Sequence, residues 1–137
     1  MLIPGSKNWK TAVQFVIDVM KGLKISKEGT HVSVIIFSTT VDVSFGLNAF
    51  FSMSDMEDVV FDLKYMAGVT NTADAIKAMH EQIKSEGRDP EIATPIAVII
   101  TDGVPTIDAP RTQPEATSAK EDGIEIFVVG NKTCPLT

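Results

Sequence analysis

Long apolar runs are missing from this 137-residue chain. None approaches the roughly 20 residues that a membrane-spanning helix needs. The opening "MLIPGSKNWK" has no apolar h-region of the signal-peptide kind, which taken literally reads as cytoplasmic. Cys134 is the single cysteine, so neither a disulfide framework nor a four-ligand zinc site can be built within these residues. It reads as a small buried hydrophobe or an idle thiol, and in a secreted parent its partner lies outside this segment. Positive charge is scarce: 12 Lys and Arg against 18 Asp and Glu leave a net charge of −6, which disfavours electrostatic binding to nucleic acid or an anionic membrane. Neither phosphate loop, G-x-x-x-x-G-K-[ST] or G-x-G-x-x-G, occurs. G-x-S-x-G and H-E-x-x-H are absent too, and His31 and His80 have no motif spacing. His31 reads as a strand-start residue and His80 as a helix-surface residue, which leaves a hydrolytic triad without parts.

What is present is the profile of one globular domain over residues 1–137, 44% hydrophobic and 22% charged. The apolar period switches between about 3.6 and 2, as it does where helices alternate with strands. Trp9, Val13, Val16, Ile17 and Met20 share one helical face and make the first element a helix, with Trp9 on its core side. "HVSVIIF" (residues 31–37) reads as a strand, and "VDVSF" (residues 41–45) alternates, with Val41, Val43 and Phe45 on one face; the short link predicts an antiparallel hairpin. Ser54 and Glu57 form a capping-box pattern ahead of Met56, Val59, Val60 and Leu63. Ala75, Ile76, Met79 and Ile83 mark the next helix, and "PIAVII" a strand covered on both faces. Pro114 opens a last helix, Gly123 stops it, and "IEIFVV" is a final strand. The expected fold is α/β: a doubly wound, mostly parallel open sheet with one antiparallel edge strand. A central first strand and a closing C-terminal helix are both missing from this reading.

Ligands of open parallel sheets sit outside the carboxyl ends of the strands. Two candidates fall there. Asp102 follows the apolar strand in "IAVIITDGVP", and Thr70 lies in "GVTNTADAI", which opens a helix on the same rim. Asp-Gly is also ordinary turn chemistry, and Thr70 is equally readable as a helix N-cap. A hydroxyl and a carboxylate on one rim suit a hard cation such as Mg²⁺, which keeps several waters.

In order along the chain, "IPGSKNWKTAVQFV", "THVSVIIFSTTVDVSFGL", "GVTNTADAI", "VIITDGVP" and "GIEIFVVG" resemble the von Willebrand factor A domain, across essentially the whole sequence. The resemblance implies a metal-ion-dependent adhesion site. In it a cation is held by an Asp-x-Ser-x-Ser loop, the Thr of G-x-T-x-T and the Asp of T-D-G, and a partner carboxylate completes the sphere. Thr70 matches that Thr, as a direct or water-linked ligand, and Asp102 that Asp, acting through a metal-bound water. The Asp-x-Ser-x-Ser loop precedes the residue matching Ile3, so its last Ser falls on Leu2 and its Asp before the chain begins. The segment is therefore expected to be truncated, to bind Mg²⁺ (or Mn²⁺ or Ca²⁺) weakly or not at all, and to be unstable alone.

The resemblance further implies a non-enzymatic adhesion or matrix-interaction module, extracellular or in the ectodomain of a membrane protein, with an extracellular-matrix or cell-surface protein as ligand. Two other expectations stand beside it: a metal-independent protein-binding module of the same fold, and a Mg²⁺-dependent phosphoryl-transfer enzyme with Asp102 as ligand.

Overall fold

Five strands form one sheet in the order β3-β2-β1-β4-β5. The computed structural model describes residues 2–4, 9–101 and 104–130. Along the chain the elements are β1 (Leu2–Pro4), α1 (Trp9–Lys21), β2 (Val34–Phe37), β3 (Val41–Phe45), α2 (Met53–Phe61), α3 (Thr72–Glu86), β4 (Ile96–Thr101), α4 (Ala109–Glu121) and β5 (Glu125–Gly130). All neighbours are parallel except the β2–β3 hairpin at one edge. The expected doubly wound α/β architecture is the one observed.

The centre of the sheet corrects the expectation of a missing first strand. Leu2, Ile3 and Pro4 pair in parallel with Ile35, Ile36 and Phe37, and Leu2 also pairs with Ile99. The first element is thus a strand, not the helix. The physical reason lies in β2 and β4, whose inner edges both carry backbone groups that need partners, and this short run supplies some of them. Among the described residues no element follows β5, and Cys134 lies outside them.

Two cores sandwich the sheet. On one face Val13, Val16, Ile17 and Met20 of α1 and Met56 and Val60 of α2 pack on Val34 and Phe45. On the other Ala75, Ile76 and Met79 of α3 and Ala116 and Ala119 of α4 cover Ile35, Phe37, Ala97 and Ile99. Each fully buried Val, Ile or Met contributes about 1.5–3 kcal/mol relative to exposure. Trp9 sits at the margin of the first core, half-buried, with Nε1 donating to Leu63 O at 3.1 Å and its ring 6.0 Å from that of Tyr65.

Several local expectations shift. β2 begins at Val34 rather than residue 31, because its partner β3 ends at Phe45 and leaves residues 31–33 without a rung. In β3 the register jumps between the Val34–Phe45 and Ile35–Val43 pairs, so Ser44 is an extra residue. One inserted residue reverses the facing. Val41 accordingly joins the α3 side, Phe45 the α1 side, and Val43 is exposed. The cap of α2 is Ser52, whose hydroxyl accepts from Asp55 N at 3.3 Å, not Ser54; Glu57 instead meets Lys21 at 2.7 Å.

Pro114 lies inside α4 and Pro110 occupies its first turn, where the absent N–H costs nothing. β4 is not covered on both faces: Ala97, Ile99 and Thr101 are buried, but Ile96 is 54% exposed. The α1–α2 layer packs over the β2–β3 half, leaving Phe127 and Val129 of β5 exposed on the side opposite Ile126 and Val128.

Candidate functional site

Thr70 stands on a loop that leaves α2 and enters α3 at the carboxyl rim, and its position is fixed from both sides. On the hairpin side, Asn71 N donates to Ser38 O at 2.9 Å, Asn71 Nδ2 to Thr39 O at 3.3 Å, and Val69 N to Thr39 Oγ1 at 3.3 Å. Gly68 completes this contact at φ +149°, where a Cβ would run into the Thr39 hydroxyl. On the β4 side, Thr70 N donates to Thr106 Oγ1 at 2.9 Å, while Thr70 O accepts from Thr106 N at 3.0 Å and Ile107 N at 3.2 Å. The G-x-T-x-T loop therefore bridges the β2–β3 turn and the segment that follows T-D-G.

The cap of α3 is Asn71, not Thr70. Asn71 Oδ1 accepts from Asp74 N at 3.2 Å and Nδ2 donates to Asp74 Oδ2 at 2.8 Å. This removes the capping role that competed for Thr70. Its backbone is engaged, its side chain is half-buried, and among the described residues its hydroxyl has no hydrogen-bond partner. Asp102, the other sequence candidate, lies outside the described residues. Its preceding neighbour, Thr101, is buried at the end of β4 opposite Gly130.

The carboxylates flanking this loop are already occupied. Arg111 on α4 reaches Asp74 at 3.1 Å, Asp108 at 2.9 Å and Glu115 at 3.0 Å. The Asn71 amide, followed by Arg111, holds the Asp74 carboxyl below its usual range against the opposing effect of burial. Hydrogen bonds from Arg111 to Asp108 and then Glu115 keep the guanidinium firmly protonated. Asp108 caps α4 at φ +49° with no side-chain cap bond, since its carboxylate is turned to Arg111. That left-handed conformation costs roughly 1–2 kcal/mol.

The histidines belong to other places. His31 donates to Lys27 O, and His80, expected on the helix surface, is 7% exposed with Nε2 2.7 Å from Asp122 Oδ2. Burial of its imidazole between α3 and the end of α4 demanded such a partner.

The donors among the described residues do not by themselves make a cation site. Among the described residues no group of three or more His, Cys, Asp or Glu could hold a metal. Thr70 offers one hydroxyl, and Asp102 is the other candidate named from the sequence. One hydroxyl and one carboxylate fall short of what dehydrating Mg²⁺ requires.

Sequence reasoning missed Ser38, Thr39, Asn71 and Thr106, the residues that hold Thr70 in place. Asn71 was findable, since Asn-x-x-Asp ahead of an apolar run is a capping signal. The hydroxyls of "STT" had no local signal beyond a turn.

The fold and rim together define an open doubly wound sheet with a ligand-type loop cluster at its carboxyl edge. The model of the von Willebrand factor type A domain matches residues 3–133, and the chain belongs to that family. It is 39% identical over 126 residues to human (Homo sapiens) Matrilin-4, covering 89% of this chain and 20% of that protein. It is 32% identical over 130 residues to mouse (Mus musculus) Matrilin-2, covering 92% and 13%. Human Cochlin is 28% identical over 132 residues, covering 96% and 23%. The chain thus spans a quarter or less of these relatives.

Among solved structures it resembles proximal thread matrix protein 1 of the mussel byssus, with a zinc-occupied MIDAS motif. The TM-score is 0.85 at 24% identity, covering 94% of this chain and 36% of that one. It also resembles the manganese-loaded TRAP protein of Plasmodium vivax, with TM-score 0.81 at 19% identity, covering 97% and 56%. At these identities the structural likeness establishes the fold.

Proposed function

We propose that this chain is one domain of a non-enzymatic protein-interaction module of the matrix or adhesion type, acting outside the cell or in an ectodomain. Its rim takes a divalent cation once an Asp-x-Ser-x-Ser loop stands ahead of Ile3. The observation that carries the proposal is Thr70. Its backbone is fixed by Thr106 and Ile107, and among the described residues its hydroxyl has no hydrogen-bond partner. A structural threonine in such a loop would use its hydroxyl locally, as Asn71 and Thr106 use their side chains. The family membership and the likeness to Matrilin-4 and Cochlin support the reading.

In this reading Thr70 presents its hydroxyl to the cation and Asp102 orients a cation-bound water. When bound, the cation supplies an electrophilic site for a carboxylate of the protein partner. A metal-independent module of the same fold is the second reading, since the family resemblance sets Leu2 where that loop's last Ser would fall.

Cation titration separates the two. Fusing an Asp-x-Ser-x-Ser loop ahead of Ile3 is expected to create saturable Mn²⁺ binding, abolished by Asp102→Ala with the fold intact. Adhesion of that completed protein to a matrix-coated surface should vanish in excess chelator. Adhesion that survives chelation unchanged establishes the metal-independent module.

A further inference from the structure

Among the described residues Asp108 alone, glycines apart, has a positive φ, at +49°, and it stands just ahead of α4. Left-handed backbone at such a residue is disfavoured by about tenfold. Something must hold it. No side-chain cap bond does, because the Asp108 carboxylate accepts instead from Arg111 Nη1 at 2.9 Å. The same nitrogen donates to Asp74 Oδ1 of α3 at 3.1 Å, while Nη2 donates to Glu115 Oε1, one turn further along α4, at 3.0 Å and so aims the guanidinium.

Arg111 thereby ties together two segments that also meet directly, where Thr106 N and Ile107 N donate to Thr70 O and Thr70 N donates to Thr106 Oγ1. Asp74 in turn accepts from Asn71 Nδ2, and Asn71 is bonded to the β2–β3 turn through Ser38 O and Thr39 O. The side-chain path closes a ring around the backbone contact. Asp108 follows Ile107 immediately, so its turn decides whether Thr106 and Ile107 stay within reach of Thr70. The Arg111 side chain is 41% exposed and Asp74 and Asp108 are 45% and 46% exposed, so water screens these pairs and they add little to global stability. They are still strong enough to offset strain at one residue.

We infer that Arg111 is a latch for the rim, a positioning residue that keeps residues 104–108 against the Thr70 loop by holding Asp108 in its left-handed turn. Without it that segment opens while the sheet stays folded. The consequence rests on the function proposed above, since the latched segment follows T-D-G and the loop it meets carries Thr70. An unlatched rim presents its candidate ligands at no fixed spacing.

The test is amide hydrogen exchange of the 137-residue chain, without added metal. Arg111→Ala should speed exchange at Thr70, Thr106 and Ile107 by about tenfold and leave the amides joining β4 to β5 within about twofold of the parent. Asp108→Ala should act alike, because it loses the tie and keeps the strain. Asp108→Gly loses the same tie but takes the left-handed turn freely, so it should stay within about threefold of the parent, and adding Arg111→Ala to it should change little.

Equal acceleration throughout the chain would overturn the inference, since Arg111 would then be a general stabiliser. Unchanged exchange at the three rim amides would overturn it too, as would Asp108→Gly opening the rim as far as Asp108→Ala. Should Arg111→Ala fail to fold, the two Asp108 variants decide alone. None of these outcomes depends on whether Thr70 binds a cation, which the Mn²⁺ titration tests separately.

Discussion

The side chain of Asn71 makes three hydrogen bonds within the protein, while the hydroxyl of its neighbour Thr70 makes none among the described residues. The two positions should therefore respond differently to truncation. Asn71→Ala removes an N-cap and strands the groups that bond it, for an expected loss of about 1–3 kcal/mol in denaturant unfolding. Thr70→Ala should change stability by less than about 0.5 kcal/mol. A Thr70→Ala loss as large as that of Asn71→Ala would mean that the hydroxyl is structural after all.

Acid sensitivity belongs to this scale too. Asp74 is held below its usual value by Asn71 and Arg111, and Asp122 by Lys84 and then His80. A carboxyl whose folded pKa is depressed adds stability above its unfolded value, and that stability is lost as pH falls through the folded one. The protein should lose stability on acidification below about pH 4, the region of the ordinary carboxylate pKa. Asp74→Asn should make that acid limb shallower in unfolding followed against pH, and an unchanged limb would show that the exposed Asp74–Arg111 pair is screened away.

Among the elements, what was legible in the sequence is what periodicity controls. The inward faces of α1 and α3, the bounds of β3 and the place of β4 all follow from which positions are apolar. What was not legible depends on partners distant in the chain. β2 is short because β3 stops at Phe45, and Phe45 turns to the face opposite Val41 because Ser44 is an extra residue in the ladder. No local pattern encodes either fact. Similarly, Glu57 left the expected capping box for Lys21, a residue of another helix.

The Thr70 site was half legible. The motif located Thr70, but the threonines holding it are 30 and 36 residues away. Pro114 offers an element-scale test. Inside α4 it denies an N–H to the carbonyl of Pro110, a defect that costs up to about 3 kcal/mol in a straight helix. Pro114→Ala should raise the unfolding free energy by about 1 kcal/mol or more and raise Tm; no gain would mean that α4 bends there without cost.

Across the whole molecule, the topology brings together segments that lie far apart in the sequence. The carboxyl rim gathers the β2–β3 turn, the Thr70 loop and the segment around Thr106 into one bonded unit. The expectation of a missing central strand rests on "IPGSKNWKTAVQFV" as the first helix and its approach, since so short a run as Leu2–Pro4 shows no period; pairing to β2 makes those three residues a strand. The family match covers residues 3–133, and the net charge of −6 disfavours electrostatic binding to nucleic acid.

The central proposal is that Thr70 and Asp102 are two ligands of one cation site. The most direct measurement is calorimetric titration of Mn²⁺ into the chain and into its counterpart carrying Asp-x-Ser-x-Ser ahead of Ile3. Weak or no heat is predicted for the first and one saturable site for the second, lost in both Thr70→Ala and Asp102→Ala while their circular dichroism is unchanged. Binding by the completed protein that either substitution leaves intact, or no binding by a completed protein that is folded, would contradict the account.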